Sequence, residues 1–390
     1  MSQLKVNAIR ATAASSDAIT LATDGTCTAK VTNRSNRNMI INGACQVNQK
    51  GTGTGVTTGN LGYKGGADQW RTIPYNLGTY TVSNDSEAPD EFGNSYKLDC
   101  TTASASPAAD GEMCINFRME GNLLQGLAYG TSSAKTTTLS FWVRCTKTGN
   151  FQVNLKNNDR DRIISSVVTI SSADTWEKKV ITFVGDTTAN QVIDNDNTSC
   201  FQIEIYLDAG SNLKGGTAPS AWEARVNTDR AAGVTLAFGD NTSNDIYFTG
   251  MQWEVGDTAT DYEHKSYQDE LRACYRYYRL IADNNGGTAN ETFATGACND
   301  IAGFHTVHTF EPEMRDKPSA EVTTGTSYFT IINNNSGDTS STGPTAVSSR
   351  SSARHYEMLW PVDSNAGTAG AGGFIYTSNN AAKFAFQSEL

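Results

Sequence analysis

Apolar and polar residues alternate along several short stretches of this chain, the period of a strand with one buried face. Leu139, Phe141 and Val143 follow this pattern, as do Phe151, Val153 and Leu155, and then Phe201, Ile203, Ile205 and Leu207. With Trp176–Phe183 and Ile246-Tyr247-Phe248 they supply enough strands for a two-sheet sandwich between Met39 and about Tyr267. Met251, Trp253 and Val255 share one face of a further strand that stops at the Gly256-Asp257 turn. The period then changes. Leu271, Cys274, Tyr275 and Tyr278 fall three and four apart, which predicts a short amphipathic helix within 267–281.

The flanks read differently. Residues 1–38 hold an alternating Ile19-Thr20-Leu21 and a turn signal at Asp24-Gly25, which predict a β-hairpin or β-arch. So little apolar surface makes no private core; the segment must pair with copies of itself or dock on a partner, or else remain a flexible leader. Residues 282–390 form a second β-rich region with long polar loops such as Asn333–Pro344. The expected fold is therefore all-β: a thin segment at 1–38, a sandwich at 39–266, a connecting helix at 267–281 and a second β-rich unit at 282–390.

Composition agrees with many short strands joined by polar turns. The 390 residues are rich in Gly, Thr, Ser and Asn, 18% charged and 9% aromatic. A net charge of −11 argues against duplex-DNA binding, which needs Lys and Arg to neutralise phosphates. No apolar run reaches the length of a membrane span, and the first twenty residues hold no signal-like apolar core; synthesis in a cytoplasm without membrane insertion is the expectation. Eight cysteines lie scattered without a C-x-x-C pair, as suits free thiols acting as small core residues.

Local signatures of chemistry are few. The Gly/Thr-rich loop Lys50–Gly59 lacks the Gly-Lys-Ser/Thr ending of a phosphate-binding loop. His305 and His308 point to opposite faces of a strand, so one chain does not chelate an ion with both. Asp194–Ser199 offers hard oxygen ligands for a structural calcium but reads first as a polar turn. No nucleophile elbow, zinc-protease motif or dinucleotide fingerprint is present, so no cofactor and no catalytic residue is expected; a glycosidase carboxylate pair would leave no local signature. The better candidate is a face. If the apolar alternation points inward, Trp142 and Arg144, then Gln152, Asn154 and Lys156, then Glu204, Tyr206 and Asp208 point outward. An aromatic plate among amides and charges suits a carbohydrate. The same face also suits plain exposed sheet or contact with a neighbouring protomer.

Four passages resemble phage proteins. Met251–Gly256 followed by Ser266–Tyr278 is similar to a strand of type MQLEVG and a helix of type SYxxELxxCxRYY in the tail-fibre and tail-appendage proteins of bacteriophages, marine ones especially. Arg37–Ala44, Gln46–Gly51 and Ala67–Arg71 resemble the NxxxNG…QRG…ADRW opening of the same family. Phe310–Pro318 resembles their F-x-x-x-M-R-x-x-P passage, and Ser388–Leu390 their common ending. The resemblance implies a carbohydrate-module-like jelly roll in a virion protein that is not an enzyme. It further implies a short homotrimeric tail fibre, attached to tail or capsid proteins through its N-terminal segment and contacting a host-surface glycan or protein. A capsid-attached head fibre or decoration protein, and a glycan depolymerase, are the competing readings.

Overall fold

The computed structural model describes residues 6–390 apart from 11, 13–16, 22, 24–26, 30–34, 285–289, 301–302, 324, 326, 334–336, 342 and 362–368. At the N-terminus, β1 (Ala8–Ile9), β2 (Ile19–Leu21) and β3 (Cys27–Ala29) form a small antiparallel sheet. Ile9 and Leu21 are exposed, as three such short strands dictate.

Twelve strands then build a sandwich. They are β4 (Gly53–Val56), β5 (Arg71–Tyr75), β6 (Thr79–Asp85), β7 (Ser95–Thr102), β8 (Glu112–Glu120) and β9 (Thr137–Cys145). After them come β10 (Gly149–Asn157), β11 (Arg162–Ile170), β12 (Glu177–Phe183), β13 (Ser199–Ala209), β14 (Glu223–Ala224) and β15 (Asp245–Val255). One sheet has the order β14-β11-β10-β13-β8-β5 and the other β12-β9-β15-β7-β6-β4. Within them, β12-β9-β15-β7 facing β11-β10-β13-β8 is the strand order of a jelly roll. The all-β expectation holds, and so does the inward set: Leu139, Phe141, Val143, Phe151, Val153, Leu155, Phe201, Ile203 and Ile205 belong to one core. Trp70, fully buried, stacks on Tyr96 at 4.9 Å between ring centroids and meets Phe117 edge-on at 4.7 Å.

A one-turn helix, α1 (Ser211–Lys214), starts the long connection between β13 and β15. The second helix, α2 (Tyr267–Cys274), is capped by Ser266, whose Oγ accepts from Asp269 N at 3.2 Å. It is shorter than the periodicity predicts. Tyr275 closes it, and Tyr278, placed on the helical face by its spacing, instead opens strand β16 (Tyr278–Asp283). The strand wins because it pairs with the last strand of the chain while Tyr277 and Tyr278 become fully buried, a gain the helix does not offer.

The remaining strands are β17 (Thr292–Cys298), β18 (Gly303–Thr309), β19 (Ser319–Val322), β20 (Phe329–Asn333), β21 (Gly337–Ser341), β22 (Thr345–Ala346), β23 (His355–Pro361), β24 (Gly372–Thr377) and β25 (Lys383–Gln387). They form a sheet β16-β25-β19 and a sheet β21-β20-β24-β17-β18-β23-β22. A separate core of Phe304, Phe329, Trp360, Ile375, Phe384 and Phe386 lies between them.

The passages that carry the phage resemblance are far apart in the chain and adjacent in space. Asn38 Nδ2 donates to Met251 O at 3.0 Å, and its Oδ1 accepts from Trp253 N at 3.1 Å. Asn42 Nδ2 donates to Val47 O and Asp68 O at 2.8 and 2.9 Å, while Asn42 N donates to Glu270 Oε2 at 2.7 Å. Gly43 is required: a Cβ there would stand 2.0 Å from Met251 O. Gln49 donates to Tyr278 O and accepts from Leu280 N, and Arg315 Nε donates to Ser388 O at 2.6 Å. These residues tie the sandwich, α2 and the C-terminal sheets together. Their chemistry is that of buried polar groups satisfied by backbone, which is structural work.

Candidate functional site

The outward residues of β10, β13, β8 and β5 lie in register across one sheet. One row is Gln152, Tyr206, Cys114 and Ile73; the next is Asn154, Glu204, Asn116 and Arg71; the third is Lys156, Gln202 and Arg118. Residues directly opposite each other sit about 5 Å apart, so these rows form one continuous polar surface.

Much of that surface is roofed. Residues 210–236 fold back over the first row, where Leu213, Ala231 and Val234 pack on Cys114, Tyr206 and Ile73. Arg230 lies over the Tyr206 ring at 5.2 Å, donates to the Tyr206 hydroxyl, and reaches Glu112 Oε2 at 3.3 Å and Glu204 Oε1 at 3.8 Å. Burial pushes the Tyr206 phenol well above its usual range. Asn154 Nδ2 donates to Arg230 O at 2.9 Å and its Oδ1 accepts from Ser165 Oγ at 2.7 Å. Asp208 Oδ2 accepts from Gly239 N at 3.0 Å and its Oδ1 faces Lys214 Nζ at 3.3 Å. Five of the residues expected to project outward, Gln152, Asn154, Glu204, Tyr206 and Asp208, are thus buried and hold this roof in place. That corrects the expectation of a single exposed face, and the cause is a Gly- and Pro-containing connection whose path leaves no periodic trace.

Trp142 and Arg144 lie elsewhere. They stand on β9 in the other sheet, half-buried, where Arg144 pairs with Glu87 at 3.2 Å and Asp174 at 3.1 Å and lies over the Tyr247 ring at 5.1 Å. Trp176 meets Tyr247 edge-on, and Lys97 Nζ pairs with Asp245 at 3.2 Å. This second patch is aromatic, and its cations Arg144 and Lys97 are each met by a carboxylate.

The third row of the first sheet differs from both. Lys156 and Arg118 are half-buried, as is Arg71 on the adjacent edge strand, and among the described residues none of the three makes a hydrogen bond or an ion pair within 4 Å through its side chain. Asn116, 1% exposed, donates to Gln202 Oε1 at 2.9 Å while its own Oδ1 is buried without a partner, as is Arg118 Nε. Burial, with the charge of Arg71 second, holds the Arg118 guanidinium below its usual range, and burial does the same to the Lys156 ammonium. Beyond this row the face ends at Glu120, which Arg276 and Tyr277 cover. Arg71, Arg118, Asn116 and Gln202 were not among the sequence candidates. The alternation of Ile115, Phe117 and Met119 with Asn116 and Arg118 was the signal that places β8 in the sheet.

The other candidates are accounted for locally. His305 and His308 point to opposite sides of β18: His305 Nδ1 meets Glu357 Oε1 at 2.8 Å, and His308 packs 5.2 and 5.3 Å from the rings of Phe384 and Phe386. Burial pushes His308 down to about 4. A base whose folded pKa lies below its unfolded value takes up its proton only on unfolding. Its stabilising contribution is complete above about pH 6.5 and is lost as pH falls towards about 4. His308→Phe should therefore flatten the stability profile between those values by up to about 3 kcal/mol, measured by urea unfolding at pH 4.5 and 7. In the Asp194–Ser199 loop, Asp194 pairs with Arg160, and Asp196 Oδ1 accepts from Thr198 N at 2.9 Å and Thr198 Oγ1 at 2.8 Å. Among the described residues no group of three His, Cys, Asp or Glu is placed to hold a metal ion. All eight cysteines are free thiols, seven of them buried, and burial pushes Cys145 up to about 11. No helix among the described residues is long and apolar enough to cross a membrane.

No family model matches the chain, and no curated protein matches it in sequence. Among solved structures it is similar to the enzymatically active domain of tailspike protein 4 of bacteriophage CBA120, with 11% identity over 56% of this chain and a TM-score of 0.29. The chain matches 21% of that structure's length. It is similar also to TmCBM61 in complex with β-1,4-galactotriose, with 8% identity over 56% of this chain and 99% of that one and a TM-score of 0.27. The C-terminal family 22 carbohydrate-binding module of Clostridium thermocellum Xyn10B gives 9% identity, 50% and 89% coverage and a TM-score of 0.26. Scores this low carry no argument about ligand or partner.

Proposed function

We propose that this chain is a non-enzymatic phage virion protein, the subunit of a short trimeric tail fibre, whose jelly roll contacts a host-surface glycan through the outer face of the β14-β11-β10-β13-β8-β5 sheet. The observation that carries the reading is the row of Lys156, Gln202 and Arg118 beside Asn116. Polar groups on a folded surface are ordinarily paired or fully hydrated, whereas the Lys156 ammonium and the Arg118 guanidinium are half-dry and unpaired beside the Asn116–Gln202 amide pair, between two covered ends of the same sheet. Sugar hydroxyls are donors and acceptors at once and match such a row.

The virion assignment draws on the passages quoted from the sequence, which meet at one structural junction and so are constrained together. The exposed apolar residues Ile9 and Leu21 of the N-terminal sheet support a docking or trimerisation role for that segment. Light scattering of the purified full-length chain should give a homotrimer; a monomer at micromolar concentration would contradict it. Deleting residues 1–34 spares Arg37 and Asn38 with their bonds to Thr260 and Met251. The remainder should stay folded and bind host cells, yet fail to join particles during assembly. Incorporation of that fragment would refute the anchoring role.

A depolymerase would need two carboxylates flanking a glycosidic bond. Glu112 and Glu204 lie together on this face, and both are engaged by Arg230. Host envelope polysaccharide incubated with the protein should show no new reducing ends. Their appearance, and their loss in Glu204→Gln, would overturn the non-enzymatic reading.

A further inference from the structure

We propose that the ligand of this face is anionic, an acidic polysaccharide whose carboxylate or sulfate groups bind Arg71, Arg118 and Lys156. The inference rests on the glycan-binding reading above and adds the charge of the sugar to it.

The register places the three cations within reach of one another. Arg71 lies opposite Asn116, two residues from Arg118 on the same face of β8, a diagonal neighbour at about 7–8 Å. Lys156 lies opposite Gln202, which lies opposite Arg118, so Lys156 and Arg118 are two strand spacings apart, about 10 Å. Successive sugar units of a chain laid across the strands present their substituents on the same scale.

Charge around the face does not balance. Four cations, Arg71, Arg118, Lys156 and Arg230, face two carboxylates, Glu112 and Glu204. Arg230 reaches both carboxylates, and Asn154 Nδ2 also lies 3.4 Å from Glu204. Arg225 beside Lys156 is matched by Asp161 at 2.6 Å. At the other end, the Tyr63 hydroxyl donates to Leu390 O at 3.3 Å, while Arg315 and Glu389 lie within electrostatic range of that phenol together with Arg71 and Arg118. The surplus is positive in a chain of net charge −11. A chain of net negative charge keeps three cations without a direct ion pair on one half-buried surface. Burial disfavours the charged form of Arg118 and Lys156 and outweighs the pull of Glu204 on both, and an incoming carboxylate or sulfate offsets that penalty.

Guanidinium forks bind carboxylates and sulfates through two parallel hydrogen bonds, so two arginines and a lysine discriminate in favour of charged sugars over neutral ones.

The test is affinity electrophoresis of the full-length protein in gels containing polygalacturonate, dextran sulfate or neutral dextran. Retardation is expected in one or both acidic gels and not in neutral dextran, and the two acidic gels separate carboxylate from sulfate recognition. Arg118→Gln and Lys156→Gln should each weaken binding about tenfold, and the triple change with Arg71→Gln should abolish it. Arg118→Lys, which keeps the charge, should retain most of it. Lys178→Gln, an exposed cation on the opposite sheet, should change nothing and so excludes general ion exchange. Equal retardation of wild type and the triple variant would overturn the proposal, as would retardation in neutral dextran alone. Failure to be retarded in either acidic gel, with host-cell binding intact, would overturn the anionic ligand and leave the attachment reading standing. Failure of both gel and cell binding would remove both.

Discussion

Glu120→Ala should destabilise the protein by about 3–5 kcal/mol, the usual cost of breaking a buried ion pair from one side. Glu120 is fully buried at the end of β8, and its two oxygens accept from Arg276 Nε and Nη2, each at 2.6 Å. Tyr277 OH donates to Oε1 at the same distance. Removing the carboxylate leaves a guanidinium and a phenol facing each other with no acceptor between them. The loss falls at the place where α2 turns into β16, so it should loosen the C-terminal sheets from the sandwich as well as lower total stability. Urea unfolding followed by tryptophan fluorescence tests this. Two separated transitions in the variant, where the wild type gives one, would show uncoupling of the two cores, and an unchanged midpoint would contradict the assigned role.

Trp70→Ala should cost a comparable amount, about 3–5 kcal/mol, through the cavity it leaves in the sandwich. Trp70 is wholly buried between Tyr96 and Phe117, and its Nε1 donates to Asn42 O at 3.1 Å. The substitution removes both the stacking and the bond that fixes the Asn42 turn. Asn42 adopts a left-handed backbone at φ 58°, a conformation that asparagine tolerates and that the surrounding hydrogen bonds enforce. Trp70→Phe keeps most of the volume and should cost clearly less, which separates packing from the indole bond. Thermal unfolding of the two variants checks the order.

The inner faces of β9, β10 and β13 were legible because a half-buried strand writes its period into the sequence. Phe141, Val153 and Ile205 are core residues as their spacing requires. The start of α2 was legible from Ser266 and the change of period, but its end was not. Tyr277 and Tyr278 satisfy either element locally, and pairing with a strand more than one hundred residues away decides between them.

The outward face was legible only by side, not by sheet. Alternation says that Trp142 and Asn154 both point away from a core; it does not say that a jelly roll sends β9 and β10 to different sheets. Nor does it reveal the roof of residues 210–236, whose cover comes from Leu213, Ala231 and Val234 in a segment whose strand is the two-residue β14 and whose helix is the one-turn α1. Arg71 escaped because Pro74 demotes Arg71–Tyr75 as a strand. The structure accommodates Pro74 because β5 is an edge strand with one partner.

The family-like passages were legible as a pattern without their meaning. Asn38, Asn42, Gly43 and Glu270 read as signatures of attachment proteins, and their geometry is that of a buried polar lock. Recognition is assigned to a surface that shares none of those residues, so the two can vary independently.

The central claim, that this sheet face contacts the host, is tested most directly by binding of fluorescently labelled full-length protein to host cells. Three forms are compared: wild type, the Arg71→Gln/Arg118→Gln/Lys156→Gln variant, and Trp142→Ala on the opposite sheet, all with matching far-UV spectra. The account predicts that the charge-neutralised form loses cell binding while Trp142→Ala retains it. Normal binding by the neutralised form, with loss in Trp142→Ala, would contradict it and move the site to the aromatic patch of the other sheet.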